Sequence, residues 1–80
     1  MDVLVDNIID ALKELHEDTT VPKNIKQKLS TTIEILQESK DLSMKKNRAL
    51  NELEDVADDM NLQPYSRTRV YSIISMLETV

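Results

Sequence analysis

The chain has 80 residues, a formal charge of −5 and neither cysteine nor glycine. That length supports one small domain, which buries only about 60% of its unfolded surface. The missing cysteines exclude disulfides, thiolate metal sites and cysteine nucleophiles, and without glycine to supply positive φ a phosphate-cradling loop cannot be built in the usual way.

Apolar residues are 40% of the chain and charged residues 31%, enough for a small core under a soluble surface. The longest uninterrupted apolar stretch, Val3 to Val5, is three residues. A membrane-spanning helix needs about 20, so none is expected. The opening "MDVLVDNIID" is acidic and has no basic n-region, so it does not read as a signal peptide. The expected location is cytoplasmic.

Residues 2–16 carry Val5, Ile8, Ile9, Leu12 and Leu15 at spacings of three and four, a single helical stripe. Asp2 can cap this helix, and Asp6 favours the positive end of its dipole. "EDTT" and Val21-Pro22 follow. Proline is tolerated in a first helical turn because the amide it lacks is unpaired there. A second helix therefore starts near residue 22, with Ile25, Leu29, Thr32, Ile33 and Leu36 inward. "ESKDLS" (38–43) breaks the pattern, and Asp41 or Ser43 can cap a third helix. Its stripe is Ala49, Leu50, Leu53, Val56, Ala57 and Met60. "NLQP" interrupts again, and a fourth helix starts near Pro64, turning Val70, Ile73, Ile74 and Leu77 inward. "RVYSII" has strand-like residues, but the stripe continues to Leu77 and a proline lies just upstream, so helix is expected there too.

The two halves are variants of one pattern. A shift of 41 residues superimposes them without a gap, placing Leu12 on Leu53, Asp18 on Asp59, Ile33 on Ile74 and Leu36 on Leu77. It also sets Leu15 on Val56, Val21 on Leu62, Leu29 on Val70, Lys26 on Arg67 and Lys28 on Arg69, while the prolines miss by one residue. The matched apolar positions are those already chosen by the helical stripes. Two helical hairpins, about 2–39 and 43–79, would each leave a face uncovered and stack into one core. The period is also that of HEAT-type helix pairs, but two copies are too few for a solenoid. The expected fold is all-α: a single domain over 1–80, closed as a four-helix bundle.

Val21-Pro22-Lys23-Asn24-Ile25, the run around Arg48-Ala49-Leu50, and Pro64 with Arg67-Thr68 together resemble the small archaeal proteins of uncharacterised protein family UPF0147. The likeness spans nearly the whole chain. It implies a compact four-helix bundle of bromodomain-like topology, and it brings no known activity and no catalytic residues to carry over.

Charge is distributed in blocks. Residues 1–22 hold six acids and one lysine, residues 23–50 seven bases and three acids, and residues 51–80 six acids and two arginines. One reading is a solvated surface on which helices of opposite sign match one another. A sharper one is a basic face for RNA or an acidic partner. It would be built from Lys23, Lys26, Lys28, Lys45, Lys46 and Arg48, with Arg67 and Arg69 brought alongside by the repeat. The overall negative charge and the shortage of stacking aromatics stand against it.

His16 is the only histidine. It lies among Glu14, Glu17 and Asp18, but a di-iron bundle needs Glu-x-x-His on two helices, and here Lys13 stands three residues before it. A histidine at the negative end of a helix dipole needs no metal to explain it. In "ELEDVADD", Glu52, Asp55 and Asp59 share one helical face and Glu54 and Asp58 another. Paired-carboxylate catalysis needs two acids in different environments within a cleft, whereas a helical acid run is ordinarily solvated. Ser66 and Thr68 follow Pro64 with no histidine on their own segment to activate them. No metal, no cofactor and no enzymatic activity are expected.

Leu4, Ile35, Leu42, Tyr71 and Met76 fall off the inward stripes. Clustered, such residues mark a binding or self-association patch. Tyr71 is the residue expected to make a contact, since tyrosine is favoured at interfaces, and Met76 and Ile35 are the further candidates. The expected role is a small non-enzymatic interaction module or subunit, with a protein partner or a second copy. Nucleic-acid association through Lys23, Lys26, Lys28, Arg67 and Arg69 is the alternative.

Overall fold

A computed structural model describes residues 3–80. Four helices make up the fold: α1 (Val3–Glu17), α2 (Lys23–Gln37), α3 (Leu42–Asp58) and α4 (Pro64–Glu78). Consecutive helices pack on one another, and α1 meets α4 to close the ring. The backbone of each helix comes close to its two neighbours and not to the helix diagonally opposite. No strand occurs among the described residues, and "RVYSII" lies within α4. The radius of gyration is 11.6 Å, matching the compact single-domain scaling of about 12 Å at this length.

The core is the sum of the four stripes. Ile8, Leu12 and Leu15 from α1, Ile25 and Leu29 from α2, Leu53 and Val56 from α3, and Val70 and Leu77 from α4 are all sealed from solvent. Val21 and Leu62, the apolar residues before the two prolines, close the core at one end. Thr32 is buried with them, its hydroxyl donating to the Lys28 carbonyl at 2.8 Å. Such a bond satisfies a buried hydroxyl without a tertiary partner. Ile33, Leu50 and Ile74, expected inward, pack against the core half-buried.

The repeat is kept down to single hydrogen bonds. Asp18 Oδ1 accepts from the Thr20 amide at 2.8 Å, and Asp59 Oδ1 from the Asn61 amide at 2.8 Å. In both turns the aspartate carbonyl then accepts from the amide three residues on, Val21 or Leu62, at 3.2 Å. These aspartate turns reverse the chain without a left-handed residue. No described residue has positive φ, which is how a chain without glycine makes its corners. Pro22, itself extended, sits just before α2, and Pro64 opens α4 after an extended Gln63. Asp41 occupies the position before α3, but its side chain makes no capping bond. Asp2, named as a cap for α1, lies outside the described residues.

Two expectations about packing are corrected. Met60 does not continue the α3 stripe: the helix ends at Asp58, the chain turns, and Met60 is 94% exposed. Ile35 is not a surface contact residue, being only 4% exposed and part of the core. Both Ile35 and its neighbour Leu36 are buried, so the apolar face of α2 is wider than a single stripe.

Candidate functional site

The fold disperses the basic side chains rather than assembling them into a face. Arg67 turns back onto the end of α3, its guanidinium donating to the carbonyls of Ala57 at 2.9 Å, Asp59 at 2.7 Å and Leu62 at 3.1 Å. Lys45 donates to the Leu36 and Glu38 carbonyls at the end of α2, and Lys46 to the Glu78 and Val80 main-chain oxygens at the end of α4. The last carbonyls of a helix lack intrahelical partners and carry partial negative charge, so cations are drawn there. Arg48 pairs with Glu38 at 3.1 Å.

Lys28 and Arg69 bind the hairpins together. Lys28 on α2 lies 3.6 Å from Asp55 and 3.9 Å from Glu52 on α3. Arg69 on α4 lies 3.9 Å from Glu14 on α1 and 3.7 Å from Asp18 just beyond it. Under the shift of 41, Lys28 maps to Arg69 and Asp55 to Glu14. The seams α2/α3 and α4/α1 are therefore related by a pseudo-twofold and carry equivalent ion pairs. Arg69 also lies over the Tyr65 ring, 5.9 Å from its centroid. Arg67 and Arg69 are not gathered into one face with Lys26 and Lys28: the α2 and α4 backbones do not approach each other closely, and Lys26 and Arg69 come near one another only around the Asp18 carboxylate. Lys23 stays exposed, and Lys26 is half-buried near Asp18. The acidic run on α3 is partly taken up in the same way: Glu52 and Asp55 by Lys28, and Asp59 by its turn and by Asn24 at 3.4 Å.

The carboxyl of Asp18 titrates below its ordinary value. The main cause is the pair of bonds it accepts from the Thr20 hydroxyl and amide, with Arg69 and Lys26 adding favourable charge against some desolvation. Asp18 is thus a turn-forming anion. His16 meets Ser30 across the α1/α2 seam, with Nε2 and Oγ 3.0 Å apart. The pair has the spacing of a nucleophile and its base, but no carboxylate orients the ring among the described residues. Ser30 also lies in mid-helix, where its backbone amide is held by the preceding turn and cannot serve an oxyanion. No three described His, Asp or Glu side chains are grouped to hold a metal ion.

The apolar surface is more distinctive. Tyr65 and Tyr71 are 72% and 52% exposed, and Met44 is 55% exposed. Met76 is half-buried in a shallow hollow between α4 and α1. Two larger hollows, of about 580 and 370 Å³, adjoin along the α1/α2 seam and share Lys13. Together they make a furrow. Its floor is Val5 and Ile9 from α1, Ile33 and Leu36 from α2, and Leu42 from the first turn of α3. The His16–Ser30 bond lies toward one end.

Composition and stripe spacing did not announce this furrow, yet the repeat contained its signal. The shift of 41 sets Val5 against Lys46 and Ser30 against Tyr71. Where the α3/α4 hairpin places a long side chain, the α1/α2 hairpin places a short one.

The chain matches the family model described as "Uncharacterised protein family (UPF0147)" over residues 2–80. It belongs to this family. The UPF0147 protein of Thermococcus kodakarensis is 34% identical, the alignment covering 100% of this chain and 99% of that relative. The UPF0147 protein of Thermoplasma volcanium is 35% identical, with 96% and 88% covered. A crystal structure of a UPF0147 member from Thermoplasma acidophilum superimposes with a TM-score of 0.90 at 35% identity, covering 96% of this chain and 92% of that one. A second solved structure, of a protein of unknown function, gives 0.89 at 35% identity, with 96% and 89% covered. The UPF0147 name carries no activity, so a functional reading rests on this chain's own surfaces. Among its described residues, no helix is long and apolar enough to cross a membrane.

Proposed function

We propose that this UPF0147 chain is a non-enzymatic protein-interaction module, a small adaptor or subunit. One contrast carries the reading. Most of the long cationic side chains that would hold a nucleic acid, Lys23 and Lys26 excepted, are bound within the bundle, while large apolar side chains remain outside. Arg67, Lys45 and Lys46 are fixed on helix-end carbonyls, and Lys28 and Arg69 on carboxylates of the neighbouring helix. Phosphate binding would first have to break those contacts. Tyr65, Tyr71 and Met44 stay exposed, and side chains of this kind supply contact area at protein interfaces.

The test is retrieval of the tagged chain from native extract at low and at high salt, with proteins and nucleic acids both identified. The expected result is a stoichiometric protein that survives high salt and is lost or weakened by Tyr71→Ala with the fold unchanged. Retention of RNA that vanishes steeply with salt, as counterion release requires, would favour the alternative. A monodisperse monomer with no co-purifying protein would end the proposal.

A further inference from the structure

The α1/α2 furrow joins hollows of about 580 and 370 Å³, and its shape and charge agree on one kind of occupant. From Val5 to His16 it follows α1 for three helical turns, about 16 Å at 1.5 Å per residue. Its floor residues on α1 and α2 are spaced by one turn, Val5 to Ile9 and Ile33 to Leu36, as ridges that receive another helix. Leu42, exposed at the first turn of α3, extends the floor at one end.

The charge of the lips is selective. Asp6, Asp10 and Glu17 along α1 and Glu34 on α2 border the two hollows. None of the four has an ion-pair partner among the described residues. Acids at the seams between the hairpins do have partners: Glu14 and Asp18 share Arg69, and Glu52 and Asp55 share Lys28. Of the two lysines at the furrow, Lys45 is held on the Leu36 and Glu38 carbonyls, which leaves Lys13 alone against four carboxylates. At the corresponding positions the pseudo-symmetric hairpin carries the longer Lys46 and Tyr71, and Lys46 reaches across to the Glu78 and Val80 main-chain oxygens.

We propose that the α1/α2 furrow receives an amphipathic helix of a partner protein, about three turns long, with leucine-like residues on one face and lysine or arginine flanking them. This is the helix-in-groove mode of recognition, with apolar anchors at i, i+4 and i+7. It rests on the reading of the chain as an interaction module and adds to the exposed tyrosines a second contact surface, with the chemistry of its occupant. A second copy is disfavoured as occupant, since a twofold axis through the furrow sets its acidic lips against each other.

The probe is a displayed library of helical peptides about 15 residues long, apolar at one helical stripe and randomised elsewhere. Selected binders are expected to be enriched in lysine and arginine, and to shift the methyl NMR signals of Val5, Ile9, Ile33, Leu36 and Leu42. The double variant Asp10→Lys, Glu17→Lys changes two exposed positions and is expected to keep the helical circular dichroism and melting transition. It should bind the selected peptide about tenfold more weakly, and a peptide with its lysines changed to glutamate should regain the loss. Binders without basic enrichment, methyl shifts centred elsewhere, or equal affinity for the double variant would each overturn the proposal. So would concentration-dependent shifts of the same methyls without peptide, which would assign the furrow to a second copy. The same double variant separates this inference from the broader reading. If it still retrieves the native protein partner in full, the furrow is wrong and the interaction module stands. If basic peptides bind in the furrow but native extract yields no protein, the furrow's preference stands and the broader proposal falls.

Discussion

Arg67 and Arg69 are the same residue type two positions apart on one helix, and the structure gives them unequal tasks. Replacing each by methionine keeps most of the apolar stem and removes the guanidinium. At Arg67 this removes three N–H···O bonds of 2.9, 2.7 and 3.1 Å and strips the end of α3 of its cation. Bonds involving a charged group contribute about 1.5–3 kcal/mol net, but three from one half-buried head are not additive, so the expected loss is about 2–4 kcal/mol. A chain of this size has roughly 4–12 kcal/mol in total. The melting temperature should therefore fall by about 10–20 °C. At Arg69 the contacts are ion pairs of 3.7 and 3.9 Å on a surface seam, together with the Tyr65 ring. Such pairs contribute about 0–1 kcal/mol, and less at high salt. Urea denaturation followed by far-ultraviolet circular dichroism, at low and high salt, measures both variants. An Arg67→Met loss below about 0.5 kcal/mol, or one no larger than that of Arg69→Met, would refute the assignment of Arg67 as an internal clamp. It would also return that residue to the pool available for an anionic partner.

Leu53→Ala should cost about 2–5 kcal/mol, because the residue is fully sealed and its neighbours come from more than one helix. Leu12→Ala should cost a similar amount, and in both variants helicity should be lost in one transition, since neither hairpin has a core of its own; calorimetry or denaturant melts decide this. Pro22→Ala and Pro64→Ala should each change stability by no more than about 1 kcal/mol, since both prolines mark helix starts and act chiefly on the unfolded chain. For Asp18 the folded carboxyl titrates below its unfolded value, so its contribution is present above the unfolded value and disappears as pH falls through the folded one. Carboxyl NMR should find Asp18 titrating below the usual aspartate range, and Thr20→Val should move it back toward that range.

The fold was largely legible because it is periodic. The shift of 41 residues carries the limits of α2, 23–37, onto those of α4, 64–78. It also predicts that Asp18 and Asp59 do the same job, which their turns bear out. Periodicity failed where the chain stopped being helical. Met60 is at the right spacing for α3 but falls beyond its last residue, and no spacing rule sees a helix end that lacks glycine. It failed differently at Ile35, because the width of a buried face depends on how closely the neighbour packs. The basic residues were legible as a charge block, but spacing did not show which of the two readings weighed for it, matched helices or a single basic face, the fold favours. Which corner of a ring a helix occupies, and how far a lysine stem reaches back to a carbonyl, are set by tertiary geometry that sequence spacing does not contain. The furrow lay between these cases: its short side chains were visible, but their meaning needed the other hairpin as a ruler.

Because Lys28–Asp55 and Arg69–Glu14 are one interaction made twice, each hairpin presents both the cationic edge and the acidic edge that its counterpart needs. A free polypeptide of half this length, bearing both edges, would be self-complementary and would close into a symmetric dimer without any new contact being invented. Joining two copies end to end would release each from the other's constraints. One now carries Lys46 and Tyr71 where the other carries the shorter Val5 and Ser30. On that history the asymmetry of the present surface is the part that arose after fusion, and so the part on which selection for a partner had room to act.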